Sequence, residues 1–265
     1  MNKGRKLLAG VDAGHIHTKA VIIRGEEILG YCTVPTAFDV IASAQTALNA
    51  ALENAGVPRV ELGGIATTGI FGDVVKVPPL DITGTVPDYA ADAKGALFLN
   101  KNSRTVIDIG GNIHKTVRYD QNGDLLDVTQ NDKCADGLGI FYTNMAKAMG
   151  LSEEELSESA LKSTVNLSIA IQCSLSAESD AIDLMCQGRD IADVANAISK
   201  FIAERVADMC TYMSLPKEIV VAGGLAKSQA IIKHLQSLIK QDISVLNLPE
   251  FVGAIGAVMS HEGIR

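Results

Sequence analysis

Two short segments of the chain place an aspartate, a glycine and a lysine at the same spacing. The first reads Val-Asp-Ala-Gly-His-Ile-His-Thr-Lys at 11–19, and the second reads Ile-Asp-Ile-Gly-Gly-Asn-Ile-His-Lys at 107–115, 96 residues further along. Each aspartate ends an apolar run, and the glycine lets backbone N–H groups approach an anion closely. A carboxylate in this position can hold a hydrated divalent cation. The repeat therefore predicts two phosphate-binding hairpins, with Asp12 and Asp108 as catalytic carboxylates.

A third glycine-rich turn, Ala-Gly-Gly-Leu-Ala at 222–226, ends a predicted strand and opens a helix. Such a turn suits close approach to a phosphate or a sugar. A single Asp-x-Gly is most often a simple turn, but two copies in register and a third turn together favour nucleotide binding. The candidate contacts are Gly14, His15, Lys19, Gly110, Gly111, Asn112, Gly223, Gly224 and Leu225. Lys19 and Lys115 could neutralise phosphate charge, or they could equally be solvated strand positions.

The elements around these segments repeat as well. After each aspartate segment a turn separates two β-prone stretches, so each half opens with a three-strand meander. Apolar residues recur at helical spacing up to Gly56, which predicts a helix over 40–55. Further helices are predicted over 88–99, 140–149, 152–159, 176–187, 191–213, 228–240 and 253–261, with strands over 64–68, 218–222 and 243–246. Ser152 and Glu155 have the spacing of a capping box at the start of the 152–159 helix.

This order of elements predicts a duplicated α/β fold with a cleft between its halves. We expect an N-terminal lobe over residues 1–100 and a C-terminal lobe over 101–265. Because no long Pro/Ser linker separates the halves, the lobes are expected to pack against each other.

Composition excludes several classes of protein. The chain has 265 residues, a net charge of −8, no tryptophan and a hydrophobic fraction of 47%, which argues against disorder and against a basic nucleic-acid-binding face. No uncharged apolar run approaches the roughly 20 residues of a membrane helix. Five cysteines, an odd number, do not indicate a disulfide framework. We expect a cytoplasmic protein that binds neither nucleic acid nor membrane.

The three motifs resemble those of the actin, sugar kinase and Hsp70 ATPase superfamily. One branch is similar in three further segments: Asn-Asp-Lys-Cys-Ala-Asp-Gly-Leu-Gly at 131–139, Ala-Glu-Ser at 177–179 and Gly-Ala-Ile-Gly-Ala at 253–257. That branch comprises the activators of 2-hydroxyacyl-CoA dehydratases and the ATPase subunits of benzoyl-CoA reductases. The resemblance implies an actin-like ATPase (ribonuclease H-like) fold with two lobes around a nucleotide cleft. It also implies binding of ATP or ADP with Mg²⁺, with Glu178 among the contacts.

In that branch two cysteines per chain ligate a 4Fe-4S cluster shared by a homodimer, and Cys134 and Cys173 match them. The resemblance therefore implies an ATP-driven one-electron donor. Its electron source would be a ferredoxin or flavodoxin, and its acceptor an iron–sulfur dehydratase or reductase. Independently of the resemblance, both cysteines precede predicted helices, whose N-termini stabilise thiolates, but a small buried hydrophobe is the commoner role of a cysteine. Cys32, Cys186 and Cys210 are expected in the core.

Three positions depart from the branch's usual pattern. His15 stands where Ser or Thr is common, and Asn112-Ile113 stands where Gln-Asp is common. Because these side chains would lie near the γ-phosphate, the resemblance does not determine the mechanism or rate of hydrolysis. The segment 66–72 only approximates the Ala-Thr-Gly-Tyr-Gly of typical activators, which indicates a divergent partner.

Two other functions are compatible with the same fold. A sugar kinase would need a carboxylate base facing a substrate hydroxyl, and no clear candidate is present. A non-enzymatic actin-like scaffold would use ATP only for assembly, and would carry no chromophore.

Overall fold

The computed structural model describes residues 6–76, 82–170 and 173–261, without the side chain of Cys134. These residues form two compact units. The first contains residues up to 104, 119–126 and the chain from 246 onward, and the second contains 105–118 and 127–245. Among the described residues, no helix is both long and apolar enough to cross a membrane.

The elements follow one another with short connections. Up to residue 99 they are β1 (Leu7–Ala13), β2 (His17–Arg24), β3 (Glu27–Pro35), α1 (Val40–Ala55), β4 (Leu62–Thr68), β5 (Ile82–Thr85) and α2 (Asp88–Leu99). They continue with β6 (Thr105–Ile109), β7 (His114–Tyr119), β8 (Leu125–Gln130), α3 (Leu138–Ala148), α4 (Glu153–Lys162), α5 (Ser174–Cys186) and α6 (Ile191–Cys210). The last are β9 (Ile219–Ala222), α7 (Gln229–Ile239), β10 (Ile243–Val245) and α8 (Val252–Met259).

The two sheets have the same topology. The first has the strand order β3-β2-β1-β4-β5, and the second has β8-β7-β6-β9-β10. In both, the strand that ends in the motif aspartate pairs antiparallel with the next strand and parallel with a later one. The predicted duplication is therefore confirmed, and β5, which the sequence did not indicate, is the counterpart of β10.

The apolar run of β1 is explained by burial on both faces of the first sheet. Leu7, Ala9 and Val11 pack with the buried face of α1. Leu8, on the opposite face of the strand, packs with Ile255 and Val258 of α8. Since successive side chains of a strand point to opposite faces, a strand covered on both sides must be apolar throughout.

The second unit has one large core. Ile107 and Ile109 of β6 and Val221 of β9 pack with α3, α4, α6 and α7. Leu138, Phe141, Tyr142 and Met145 of α3 are almost fully buried there. The 131–139 motif runs into α3, and the buried side chains of α3 anchor its end in this core.

Helix ends agree with the local signals. Asp39 caps α1 by accepting from Ala42 N–H at 2.9 Å, and Gly56 ends the helix with φ 65°. Ser152 and Glu155 form the predicted capping box at the start of α4. The other predicted helices are present, with ends that coincide with the prediction or differ from it by up to three residues.

The carboxyl-terminal segment lies in the first unit, whereas the sequence assigned everything after residue 100 to the C-terminal lobe. The cause is α8, which packs on β1 and α2. Gly95 of α2 and Gly256 of α8 have no room for a Cβ, because the backbone of the other helix occupies that position. The sequence order of elements does not reveal this contact.

Candidate functional site

In the first unit, Asp12 is the second-last residue of β1 and lies directly opposite Lys19 of β2. The Lys19 Nζ lies 3.0 Å from Asp12 Oδ2, and the two side chains are only 16–18% exposed. A largely buried carboxylate needs such a partner, because burial without one is costly. The register of the β1–β2 hairpin thus produces a compensated aspartate at the strand end.

The second unit repeats the arrangement. Asp108 of β6 pairs in register with Lys115 of β7, and Lys115 Nζ lies 3.0 Å from Asp108 Oδ2. Lys115 is 7% exposed in its side chain. Both lysines are therefore ion-pair partners of the motif aspartates and not solvated strand positions.

The glycine of each aspartate motif closes the same tight turn. Gly14 N–H donates to the His17 carbonyl at 3.2 Å, and Gly110 N–H donates to the Ile113 carbonyl at the same distance. A Cβ would lie 2.9 Å from the acceptor oxygen at Gly14 and 2.5 Å from it at Gly110. These contacts are closer than real Cβ atoms make, so both turns require glycine.

Two further glycines touch the aspartates from the neighbouring parallel strand. Gly69 follows β4 with φ +87°, and a Cβ there would overlap Asp12 Oδ1. Gly223 follows β9 with φ +88°, and a Cβ there would overlap Asp108 Oδ1. The sequence selected Gly223 but missed Gly69. The duplication could have indicated Gly69, because Gly69 directly follows β4 in the first unit as Gly223 directly follows β9 in the second.

His15, at the tip of the first hairpin, is exposed and rests against another loop of the same unit. Its ring centroid lies 5.6 Å from that of Phe71, with an angle of 63° between the rings. The Phe71 N–H donates to the Ala13 carbonyl at 3.1 Å, which ties the 69–72 loop to the hairpin. The 69–72 loop therefore contacts the first hairpin through both its backbone and the Phe71 ring.

The third turn has a mixed role. Gly224 begins a 3₁₀ turn over Gly224–Lys227, and a Cβ on Gly224 would meet nothing within 4 Å, so its backbone is open to a ligand. The side chain of Leu225 is 4% exposed and packs in the core of the second unit. Only its backbone could contact a nucleotide. Beyond this turn, a depression of about 470 Å³ is lined in part by Ala226, Gln229 and Lys233.

The end of the 131–139 segment is hydrogen-bonded to the second hairpin. Gly137 N–H donates to the Asn112 carbonyl at 2.8 Å, and the N–H groups of Gly139 and Ile140 donate to the Gly111 carbonyl at 2.9 and 3.1 Å. Gly139 also packs so closely on Gly111 that a Cβ would not fit. The backbone of Gly111 and Asn112 thus holds the start of α3.

Asn131 organises the turn that contains Cys134. Its Oδ1 accepts from the His114 N–H at 2.8 Å, and its Nδ2 donates to Asp136 Oδ1 at 2.5 Å. The hydroxyl of Ser174 donates to the Asp136 carbonyl. The Cys134 turn and the residue after Cys173 are therefore directly joined.

Cys173 is the N-cap residue of α5. The nearby backbone N–H groups of Ser176 and Leu175 lower the pKa of its thiol. Glu178 lies in the same helix. Among the side chains that the structure describes, which do not include Cys134, no three His, Cys, Asp or Glu groups could hold a metal ion.

The other cysteines differ from one another. Cys210 is buried, and burial raises the pKa of its thiol to about 11. Cys32 is partly buried in β3. Cys186 is exposed at the end of α5, so its expected place in the core was wrong: α5 packs only one side on the second unit, and Cys186 lies on the other.

Two copies of one sheet, each ending in an Asp-x-Gly hairpin, define an actin-like ATPase fold of the α/β class. Residues 9–260 match the BadF/BadG/BcrA/BcrD ATPase family, and the chain belongs to that family.

The chain is similar to several activators in this family. It is 29% identical over 251 residues to a 2-hydroxyisocaproyl-CoA dehydratase activator from Clostridioides difficile, covering 94% of this chain and 92% of the relative. An (R)-2-hydroxyglutaryl-CoA dehydratase activating ATPase from Acidaminococcus fermentans is 29% identical over 251 residues, with 94% and 95% covered. A solved structure, the activator of the 2-hydroxyisocaproyl-CoA dehydratase from Clostridium difficile with bound ADPNP, gives a TM-score of 0.88 at 28% identity, covering 96% of this chain and 94% of that one.

Proposed function

We propose that this protein is an ATP-dependent one-electron donor that reduces a partner iron–sulfur enzyme. It acts as a homodimer with one shared 4Fe-4S cluster, held by Cys134 and Cys173 of each chain. A ferredoxin or flavodoxin is its electron source. The acceptor is an iron–sulfur dehydratase or reductase; two of the similar relatives are named as activators of acyl-CoA dehydratases.

The position of Cys173 carries this proposal. The backbone N–H groups of Ser176 and Leu175, at the start of α5, lower the pKa of its thiol and so favour the thiolate that an iron–sulfur cluster requires. The Ser174 hydroxyl donates a hydrogen bond to the carbonyl of Asp136, which lies two residues after Cys134. The backbone segments that contain Cys134 and Cys173 therefore meet in one part of the second unit. These observations support ligation of the cluster by Cys173 and by Cys134, and the cluster when bound would supply the transferred electron.

The exposed surface beside Cys173 supports a shared cluster. A 4Fe-4S cluster takes four thiolates, and one chain offers two matching cysteines, so a second chain must supply the others. Leu175, directly after Cys173 on α5, is 80% exposed, and Ile182 on the same helix is 41% exposed. Apolar side chains at this position are explained if a second copy covers them.

The carboxylates of Asp12 and Asp108 fit the hydrated Mg²⁺ of a bound nucleotide. Magnesium prefers oxygen ligands and usually keeps several waters. Each carboxylate stands near the end of its strand, beside a tight turn, and backbone N–H groups of such turns can bind phosphate oxygens. Within each unit these turns would hold the phosphates, and Gly223 and Gly224 would hold the nucleoside.

The 110–113 hairpin connects the nucleotide to the cysteines. Its carbonyls accept three N–H groups from residues 137–140, which directly follow the Cys134 turn. A shift of the hairpin on nucleotide binding would therefore move the start of α3 and, through Asp136, the start of α5. Nucleotide can drive this change only as far as it binds one arrangement better than the other.

Anaerobic purification tests the proposal. We expect a brown dimer with about two irons and two acid-labile sulfides per chain, as one shared 4Fe-4S cluster requires. Iron, sulfide, the visible spectrum and the solution mass should be measured on the same sample. A colourless, iron-free protein that stays so after anaerobic reconstitution would contradict it.

Two cysteine variants localise the cluster. Cys173→Ser should abolish the visible absorption while nucleotide binding persists, because the thiolate is lost and the hairpins are untouched. Cys186→Ser, at the exposed far end of the same helix, is the matched control and should keep full colour. Equal iron content in the two variants would show that Cys173 is not a ligand.

A further inference from the structure

Each motif aspartate already has a cation beside it. Lys19 Nζ and Lys115 Nζ both lie 3.0 Å from the Oδ2 atom of their aspartate. The pairs occupy the same register position in the two sheets. The duplication has thus placed an ammonium group at both positions where the proposed function requires a hydrated divalent cation.

A paired carboxylate attracts a divalent cation poorly. The lysine ammonium repels a second cation, and both pairs are largely buried, where charges interact more strongly than in water. The other oxygen of each carboxylate lies against the backbone of Gly69 or Gly223, which restricts approach from that side. The cation gains full access only if the ammonium moves to another anion.

We propose that Lys19 and Lys115 hold the place of the divalent cation at Asp12 and Asp108 until a polyphosphate arrives. The phosphate oxygens then accept the ammonium groups, and the freed carboxylates accept the hydrated cation. Divalent cation and nucleotide therefore bind cooperatively, and neither carboxylate takes up the cation alone. This inference rests on the nucleotide binding in the proposed function and not on the cluster.

Mn²⁺ is the probe for the divalent cation, because it substitutes for Mg²⁺ and its free form is measured by electron paramagnetic resonance. The wild-type protein should leave Mn²⁺ free without nucleotide and bind it at least about tenfold more tightly with ADP, a typical coupling between two ligands. Lys19→Met and Lys115→Met should bind Mn²⁺ without nucleotide, about tenfold more tightly than wild type, since the carboxylate has lost its counter-ion.

Lys94→Met is the matched control. Lys94 Nζ lies 2.8 Å from Asp124 Oδ1, in a Lys–Asp pair outside the motifs, so its loss should create no such site. Lys19→Arg keeps the positive charge and should again exclude Mn²⁺. Circular dichroism establishes that each variant is folded.

Two results would overturn the inference. One is wild-type protein that binds Mn²⁺ equally well with and without ADP, which decides the matter even if the lysine variants do not fold. The other is equal Mn²⁺ binding by folded Lys19→Met, Lys115→Met and Lys94→Met. Failure of the proposed nucleotide binding can be distinguished from failure of this inference, because equilibrium dialysis would then detect no ADP binding. Mn²⁺ uptake by the lysine variants needs no nucleotide and would still test the inference.

Discussion

Single residues hold each motif aspartate from two sides. Lys19 and Lys115 come from the antiparallel neighbour, and Gly69 and Gly223 come from the parallel one. The carboxylates are thereby fixed in orientation before any ligand binds. His114, by contrast, is a buried residue without a part in the proposed chemistry. It stands in β7 at the position that Thr18 occupies in β2.

His114 predicts a loss of stability in mild acid. Burial lowers the pKa of its imidazole to about 4, against the partial opposition of Asp108, Asp136 and Asp132. Between pH 6.5 and about 4 the unfolded chain binds a proton at this residue that the folded chain does not. The stabilisation is therefore complete above pH 6.5 and falls as the pH drops, by about 2 kcal/mol between pH 7 and 5.

Urea unfolding of the wild type and of His114→Thr at pH 7 and 5 measures this contribution. The variant copies the threonine of the duplicated position and should lose less stability on acidification than the wild type, by about that 2 kcal/mol. An identical change in the two proteins would show that His114 is not responsible.

At the scale of elements, the crossing of α2 and α8 gives a structural reason for the 253–257 motif. A Cβ on Gly256 would overlap the Ala91 carbonyl, and a Cβ on Gly95 would overlap the Val252 carbonyl. Gly253, at the start of α8, lies beside the Asp12 carboxylate, since a Cβ there would be 3.4 Å from Oδ2. The close crossing therefore brings the start of α8 to the first aspartate.

Gly256→Ala should be strongly destabilising, because the added methyl group would force the two helix backbones apart. We expect a loss of about 3 kcal/mol or more in the free energy of unfolding. Gly63→Ala is the control, since its Cβ would make only an ordinary contact at 3.4 Å with the Leu7 carbonyl. Urea denaturation of both variants tests this, and equal midpoints would contradict the close crossing.

At the scale of the whole molecule, each unit is assembled from separate parts of the chain. The first unit takes residues 119–126 and the segment from 246 onward, although both follow the start of the second unit. Phe251, Ile255 and Val258 complete a core with Leu8 and Ile23. The final segment is thus part of the first unit's core and not an appendage of the second.

A chain ending at residue 245 should therefore lose the fold of its first unit. Removing α8 would expose large apolar side chains of β1 and β2, each worth about 1.5–3 kcal/mol when fully buried. Limited proteolysis with mass spectrometry should find cleavage concentrated in residues 6–104. A chain ending at residue 261 is the control, and equal protease resistance would contradict this assignment.

The sequence by itself determined much of the local structure and the chemistry of the motifs. The helices over 40–55 and 88–99, the capping box of α4 and the duplicated hairpins were predicted because caps, periodicity and turn residues act over a few positions. The aspartates and the Gly223 turn could be found because one segment recurs at a constant interval. The cysteines needed the family resemblance, since their spacing alone matches no common ligand pattern.

Only the tertiary structure decided which distant residues meet. The Lys–Asp pairs follow from strand register, the role of Gly69 from a parallel pairing, and the position of α8 from a helix crossing. The exposure of Cys186 could likewise not be predicted from the sequence, because the face of α5 that is covered depends on which elements pack against it. These contacts join residues far apart along the chain, where no local propensity acts, and they are selected by packing and charge compensation in the folded molecule.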